Sequence, residues 1–143
     1  MPTFIGEIKN NQIILISAIS ISGNDKPIPK PYKSLLDTGA QGTLISEKIV
    51  REIGLSAIGH AEILPVNGDP ITTKKYRIRI DIPISSNVMS PSGGVGIETV
   101  LRGKDMDVAL LPYQPINHDV LLGMDFLSAF HLTMYGKYFI LSN

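Results

Sequence analysis

The chain has no cysteine and no tryptophan in 143 residues. Without cysteine there is no disulfide, no thiolate zinc site and no cysteine nucleophile. Three histidines, His60, His118 and His131, stand singly without metal-ligand spacing, so each reads as a surface or loop residue and not as a ligand. Net charge is missing too: 13 basic and 13 acidic side chains cancel. No basic cluster exceeds Lys74-Lys75, which leaves no electrostatic footprint for the phosphate backbone of a nucleic acid. Long apolar runs are absent as well. The nearest, Gln12 to Ile21, is ten residues long and follows Glu7 and Lys9, which is too short for a bilayer and lacks the basic start of a signal peptide. These absences predict a soluble, cytoplasmic protein with neither nucleic acid nor membrane as a partner.

What is present describes a globular chain. Apolar residues make up 43% and charged residues 18%, enough for one domain spanning 1–143 with a core of its own. A mean hydropathy of +0.16 leaves apolar surface over for a partner. Short β-branched runs dominate. "TFIGEIK" and "QIILISAISIS" flank the turn-prone Asn10-Asn11 and predict a hairpin. "EILPV" and "ITTKKYRIRIDI" flank Asn67-Gly68-Asp69 and predict a second. In its outgoing arm Tyr76, Ile78, Ile80 and Ile82 alternate with Arg77, Arg79 and Asp81, the period of a strand with one wet face. "EKIVREIG" is the clearest helix, with Ser46 as its N-cap and Gly54 as its stop. The Ser-, Pro- and Gly-rich "SSNVMSPSGGVGIE" predicts a mobile surface excursion. "DVALLP" and "HDVLLG" return to strand, "MDFLSAF" makes a short helical turn, and "HLTMYGKYFILS" closes the chain as a hairpin. Together these give an all-β domain with one or two short helices.

Within this pattern "YKSLLDTGAQGTLIS" stands out, because Leu35 and Leu36 deliver the carboxylate of Asp37 straight into a glycine turn. The simplest reading is an ordinary turn, with the Asp37 side chain bonded to a backbone amide two residues on. A second stretch, "HDVLLGMDFL", repeats the construction, and its Gly123 lies 123 − 37 = 86 residues after Asp37. "LLDTGAQGTLIS" and "DVLLGMDFL", with a hairpin tipped by Asn67-Gly68 between them, resemble the retropepsin-like aspartic protease family, the single-lobed relatives of pepsin. The resemblance runs from about Tyr32 to Asn143.

The resemblance implies a closed, barrel-like all-β fold with a flap hairpin, and a set of roles. Asp37 would be catalytic. Thr38 would lock two active-site turns together across a dimer, Gly39 would give substrate and water close access, and Ala40 matches the small residue after the triplet. Gln41 would contact the substrate backbone. Val66, Asn67, Gly68 and Asp69 would form the flap over a bound peptide. Thr43, Leu122 and Gly123 would support the turn from beneath, and the final "YFILSN" would be a strand used in dimer formation. No cofactor or metal is implied.

Two positions depart from the retroviral members, which carry an acidic residue at Gln41 and an arginine at Met124 and pair the two. Asp125 reads as a surface or helix-capping residue, and the loop 112–119 would border the cleft. The 83–103 stretch has no counterpart.

Hydrolysis without a metal needs two acids, one to take a proton from water and one to give a proton to the amide. Two aspartates about 3 Å apart can do this by sharing one proton. This chain has a single Asp-Thr-Gly, since its other aspartates precede Lys, Pro, Ile, Met, Val or Phe. The second carboxylate must come from another copy, which makes a homodimer the expected partner and an extended peptide or unfolded protein the expected substrate. The rival reading is a peptide-binding or dimerisation module that keeps the fold without the chemistry.

Overall fold

A computed structural model describes residues 3–23, 28–65 and 67–143. Strands β1 (Thr3–Lys9) and β2 (Gln12–Ile21) form the first hairpin, with Ile8 opposite Ile13. Asn10 and Asn11 both take positive φ, 51° and 58°, the conformation a two-residue turn between twisted strands requires. Strand β3 (Lys30–Leu36) leads to Asp37, and β4 (Leu44–Ile45) leads into helix α1 (Glu47–Ile53). Gly54 ends that helix in the left-handed region. Ser46 stands at the N-cap position but makes no side-chain cap; its hydroxyl donates instead to Asp119 Oδ1 at 3.1 Å.

Strands β5 (Gly59–Ile63) and β6 (Ile71–Met89) make the second hairpin, and β7 (Val95–Leu110) runs back along β6. Strand β8 (Val120–Leu122), helix α2 (Met124–Leu127) and the closing hairpin β9 (His131–Tyr135) and β10 (Tyr138–Ser142) complete the chain. The sheet order is β5-β6-β7-β4-β8-β3-β2-β1-β10-β9, and β6 also pairs with β2 and β1. That extra pairing closes the sheet on itself, so the all-β, barrel-like expectation holds.

The period of β6 explains the closure. Tyr76, Ile78, Ile80, Ile82 and Ile84 are all buried, and they meet Ile19, Val108, Val120, Leu122, Phe126 and Phe139 in one core. Each such side chain contributes about 1.5–3 kcal/mol on leaving water. The outward face is less wet than its sequence predicts, because Asp81 is only 4% exposed. A bidentate Arg79 guanidinium, at 2.9 and 3.0 Å, holds its carboxylate and offsets the cost of burying the charge.

The predicted surface excursion is a paired, exposed ribbon. Strands β6 and β7 continue pairing through Ile84–Val100, Ser86–Glu98 and Met89–Val95, and a short turn closed by Ser90 N–H to Gly94 O ends the ribbon. Met89 opposite Val95 and Asn87 opposite Ile97 extend a ladder already begun in the core, and that ladder outweighs the Ser/Gly composition. Asn67, Gly68 and Asp69 do not form a two-residue hairpin turn: β5 ends at Ile63 and β6 starts at Ile71, which leaves a longer connection. Val66 lies outside the described residues.

Candidate active site

Asp37 is placed by a parallel pairing. Ser34, Leu35 and Leu36 of β3 lie beside Val120, Leu121 and Leu122 of β8, and the Asp37 N–H extends that ladder to Leu122 O at 3.0 Å. The chain then turns sharply. Gly39 N–H donates to Asp37 Oδ1 at 2.9 Å and Ala40 N–H to Asp37 O at 3.2 Å. The turn geometry expected of any aspartate is therefore present, and it uses one carboxylate oxygen. Among the described residues Oδ2 has no protein hydrogen bond. Asp37 is half-buried, while Thr38 and Gly39 are exposed.

The turn is bolted to the start of α2. Met124 N–H donates to Ala40 O at 2.8 Å and Asp125 N–H to Gln41 O at 3.0 Å. Buried Thr43 is the centre of the joint: its hydroxyl accepts from Gly123 N–H at 3.1 Å and donates to Asp125 Oδ1 at 2.7 Å, while its own N–H donates to Asp125 Oδ2 at 3.1 Å. Lys104 Nζ donates to Asp125 O and ties β7 to the same joint. Gly123 has no room for a side chain, because a Cβ there would lie 2.5 Å from Gly42 O. Leu122, Gly123 and Thr43 thus lie against the Asp37 turn. Asp125 is neither a surface acid nor a side-chain cap; it is the clamp for Thr43. The sequence signal that could have found it was the acid two residues after Gly123.

Beside the turn lies a cleft of about 610 Å³. One wall is Gly39, Ala40, Gln41, Gly42, Thr43 and Leu44; the other is Ala61, Glu62, Ile63 and Leu64, with Val108 and Ala109 between them. Lys75 and Asp107 close one side as an ion pair at 3.9 Å, and Arg77 reaches Asp107 at 2.9 Å. The expected lid residues Asn67, Gly68 and Asp69 are exposed and do not line this cleft; β5 does. Sequence reasoning missed β5, Lys75 and Asp107 because only the tertiary pairing of β5, β6 and β7 brings them to the turn.

The loop 112–119 faces a different depression. Gln114, Pro115, Ile116, Asn117, His118 and Asp119 border about 760 Å³ shared with the β1–β2 hairpin. His118 lies in this loop, as expected, and is half-buried there. Among the described residues its Nε2 is buried without a partner, and burial lowers the imidazole pKa, opposed by Asp119.

The closed sheet and the Asp-Thr-Gly turn over a glycine-led helix define the class of acid-protease domains, and comparison with known proteins agrees. The family model described as Aspartyl protease matches residues 18–126, and the chain belongs to that family. No curated protein matches in sequence. Among solved structures, a retropepsin-like aspartic protease from Rickettsia conorii superposes with a TM-score of 0.54 at 15% identity, over 97% of this chain and 89% of that one. The retropepsin-like fold is thereby shown.

Proposed function

We propose that this protein is a homodimeric aspartic endopeptidase in which Asp37 and the Asp37 of a second copy share one proton and activate a water. The observation that carries this reading is the Asp37 turn itself. One carboxylate oxygen is fixed by Gly39 N–H, and among the described residues the other has no protein partner, on a turn tied down by Thr43 and Asp125.

In the reaction one carboxylate takes a proton from the water as oxygen attacks the peptide carbonyl, and its protonated partner gives its proton to the carbonyl oxygen. Collapse of the tetrahedral adduct then breaks the C–N bond, with a proton passing to the amine. Thr38 joins the two turns, and Gly39 and Gln41 contact the substrate backbone. Ala61, Glu62, Ile63 and Leu64 wall the substrate cleft, and Asn67, Gly68 and Asp69 form the end of the lid. The substrate is an extended peptide whose side chains enter the cleft alternately.

The test is cleavage of an unfolded-protein or peptide-library substrate from about pH 4 to pH 7, the range in which a coupled carboxylate pair holds one proton, with cuts mapped by mass spectrometry. Cleavage that vanishes on Asp37→Asn is the expected result. A folded dimer that cuts nothing at any pH would make the protein a peptide-binding module instead.

A further inference from the structure

The outer face of the β6–β7 ribbon carries a ladder of cations and acids, and one rung lacks its acid. Arg77 lies opposite Asp107 and Arg79 opposite Asp105, and each guanidinium reaches the carboxylate across from it, at 2.9 and 3.6 Å. Directly opposed charges of this kind support a strand pair. Lys75 belongs to the same face by the period of two, but the residue opposite it on β7 is Ala109. On β5 the residue opposite is Gly59, where a Cβ would lie 3.8 Å from Lys75 Cε. The lysine stem thus has small neighbours on both sides, and it lines the cleft beside the Asp37 turn.

Among the described residues the charges around the cleft do not cancel at Lys75. The acid it reaches, Asp107, sits diagonally at 3.9 Å, and the Arg77 guanidinium already holds the other Asp107 oxygen at 2.9 Å, so two cations share one carboxylate. The facing wall, Gly39 to Leu44, has no ionisable side chain. Asp125 borders the cleft with both oxygens taken by Thr43. Glu62 belongs to the wall through its strand, but it lies opposite Thr72, out of phase with Lys75, and is exposed together with His60 while Ala61 and Ile63 are half-buried. By alternation its carboxylate points to the other face of the sheet. The Lys75 side chain is 36% exposed, so its charge is screened less than that of a lysine free in water.

We propose that Lys75 is a specificity-determining residue, which receives an acidic side chain, Asp or Glu, of a peptide held extended in the cleft. The inference rests on the reading of the cleft as a peptide site and adds the charge of the substrate to it. An extended strand sends alternate side chains to one face, so a carboxylate entering beside Ala109 and Gly59 meets an ammonium group with donors to spare. It displaces no tight pair, because Asp107 keeps Arg77. A lysine or arginine of the substrate in the same place meets two cations against one acid and is disfavoured. In a two-fold dimer each copy brings its own Lys75, so the preference appears on both sides of the cut.

Peptide sets that are otherwise randomised and fix Glu, Gln or Lys at one position in turn test this, with cuts mapped by mass spectrometry and rates compared as kcat/KM. The wild type is expected to favour Glu over Gln by about two- to fivefold at the matching positions, the size of a partly exposed ion pair, and to cut the Lys set least. The preference shrinks as salt rises, because the charges are screened. Lys75→Met keeps the stem and should abolish the difference between Glu and Gln. Lys75→Glu should reverse the order, so that the Lys set is cut best. Each comparison is made within one variant, so a loss of folded protein cancels from it. Cleavage with no charge preference, or with a preference that survives both substitutions, overturns the role of Lys75 and leaves the protease reading standing. If nothing is cut, the same peptide sets labelled with fluorescein are titrated with the protein and followed by anisotropy. Tighter binding of the Glu set that reverses in Lys75→Glu supports the role of Lys75 and sinks the protease reading, whereas equal binding of all sets, or none, overturns both.

Discussion

Twice the chain runs an apolar strand into a glycine turn that carries an aspartate, and the two aspartates have different fates. Among the described residues, half-buried Asp37 keeps one oxygen without a protein partner. Asp125 has both oxygens taken by Thr43. Similar local sequence therefore produces one carboxylate available to a reaction and one used as a fastener. What separates them is the set of donors that the fold brings alongside, not the glycine or the acid itself.

Substitutions can break this contrast at either end. Asp37→Asn should have the largest effect, a fall of about 10²–10⁴ in peptide cleavage, the range assigned to a positioned proton-transfer group. Its melting temperature should stay near that of the wild type, and a large drop would show Asp37 to be a structural residue like Asp125. Gly123→Ala comes next. A methyl group 2.5 Å from Gly42 O forces the two turns apart, with an expected loss of about 1–3 kcal/mol in urea unfolding and a parallel loss of cleavage. Thr43→Val removes the hydroxyl while keeping its shape, leaving Gly123 N–H and Asp125 Oδ1 unsatisfied. A destabilisation of about 1–3 kcal/mol is expected, and an unchanged unfolding midpoint would show that the clamp adds nothing.

The smallest effect concerns His118, on the loop before β8. Burial lowers its folded pKa, and Asp119, itself beside Lys48 at 3.6 Å, pulls the other way. The unfolded chain therefore binds a proton that the folded chain refuses, so stability falls as pH drops below the ordinary imidazole value of about 6.5 and levels off below the folded one. His118→Gln should make the fall of melting temperature between neutral and mildly acidic pH shallower.

Local chemistry made much of this legible from sequence. The alternation in β6, the Asn10-Asn11 turn and Gly54 after α1 each act within a few residues, and the structure agrees with them. Asp37, Thr43, Leu122 and Gly123 could be read together because their motifs recur in a known order. Partners distant in the chain were not legible. Ser46 looks like a cap until Asp119 arrives to take its hydroxyl, and Asp81 looks solvated until Arg79 and the β2 pairing cover it. The Ser- and Gly-rich stretch looks loose until β7 is seen to continue along β6. The cleft wall from β5 could not be found at all without the sheet order.

The joint between Thr43 and Asp125 also bears on when the molecule becomes a site. Its two halves lie 82 residues apart in sequence, and the strand that fixes Asp37, β8, comes after almost all the others. Contacts of such separation form late, because the intervening chain must be closed before they can form. A chain that has already made the Asp-Thr-Gly turn still lacks the support that orients it until Val120 to Leu127 has folded back beneath it.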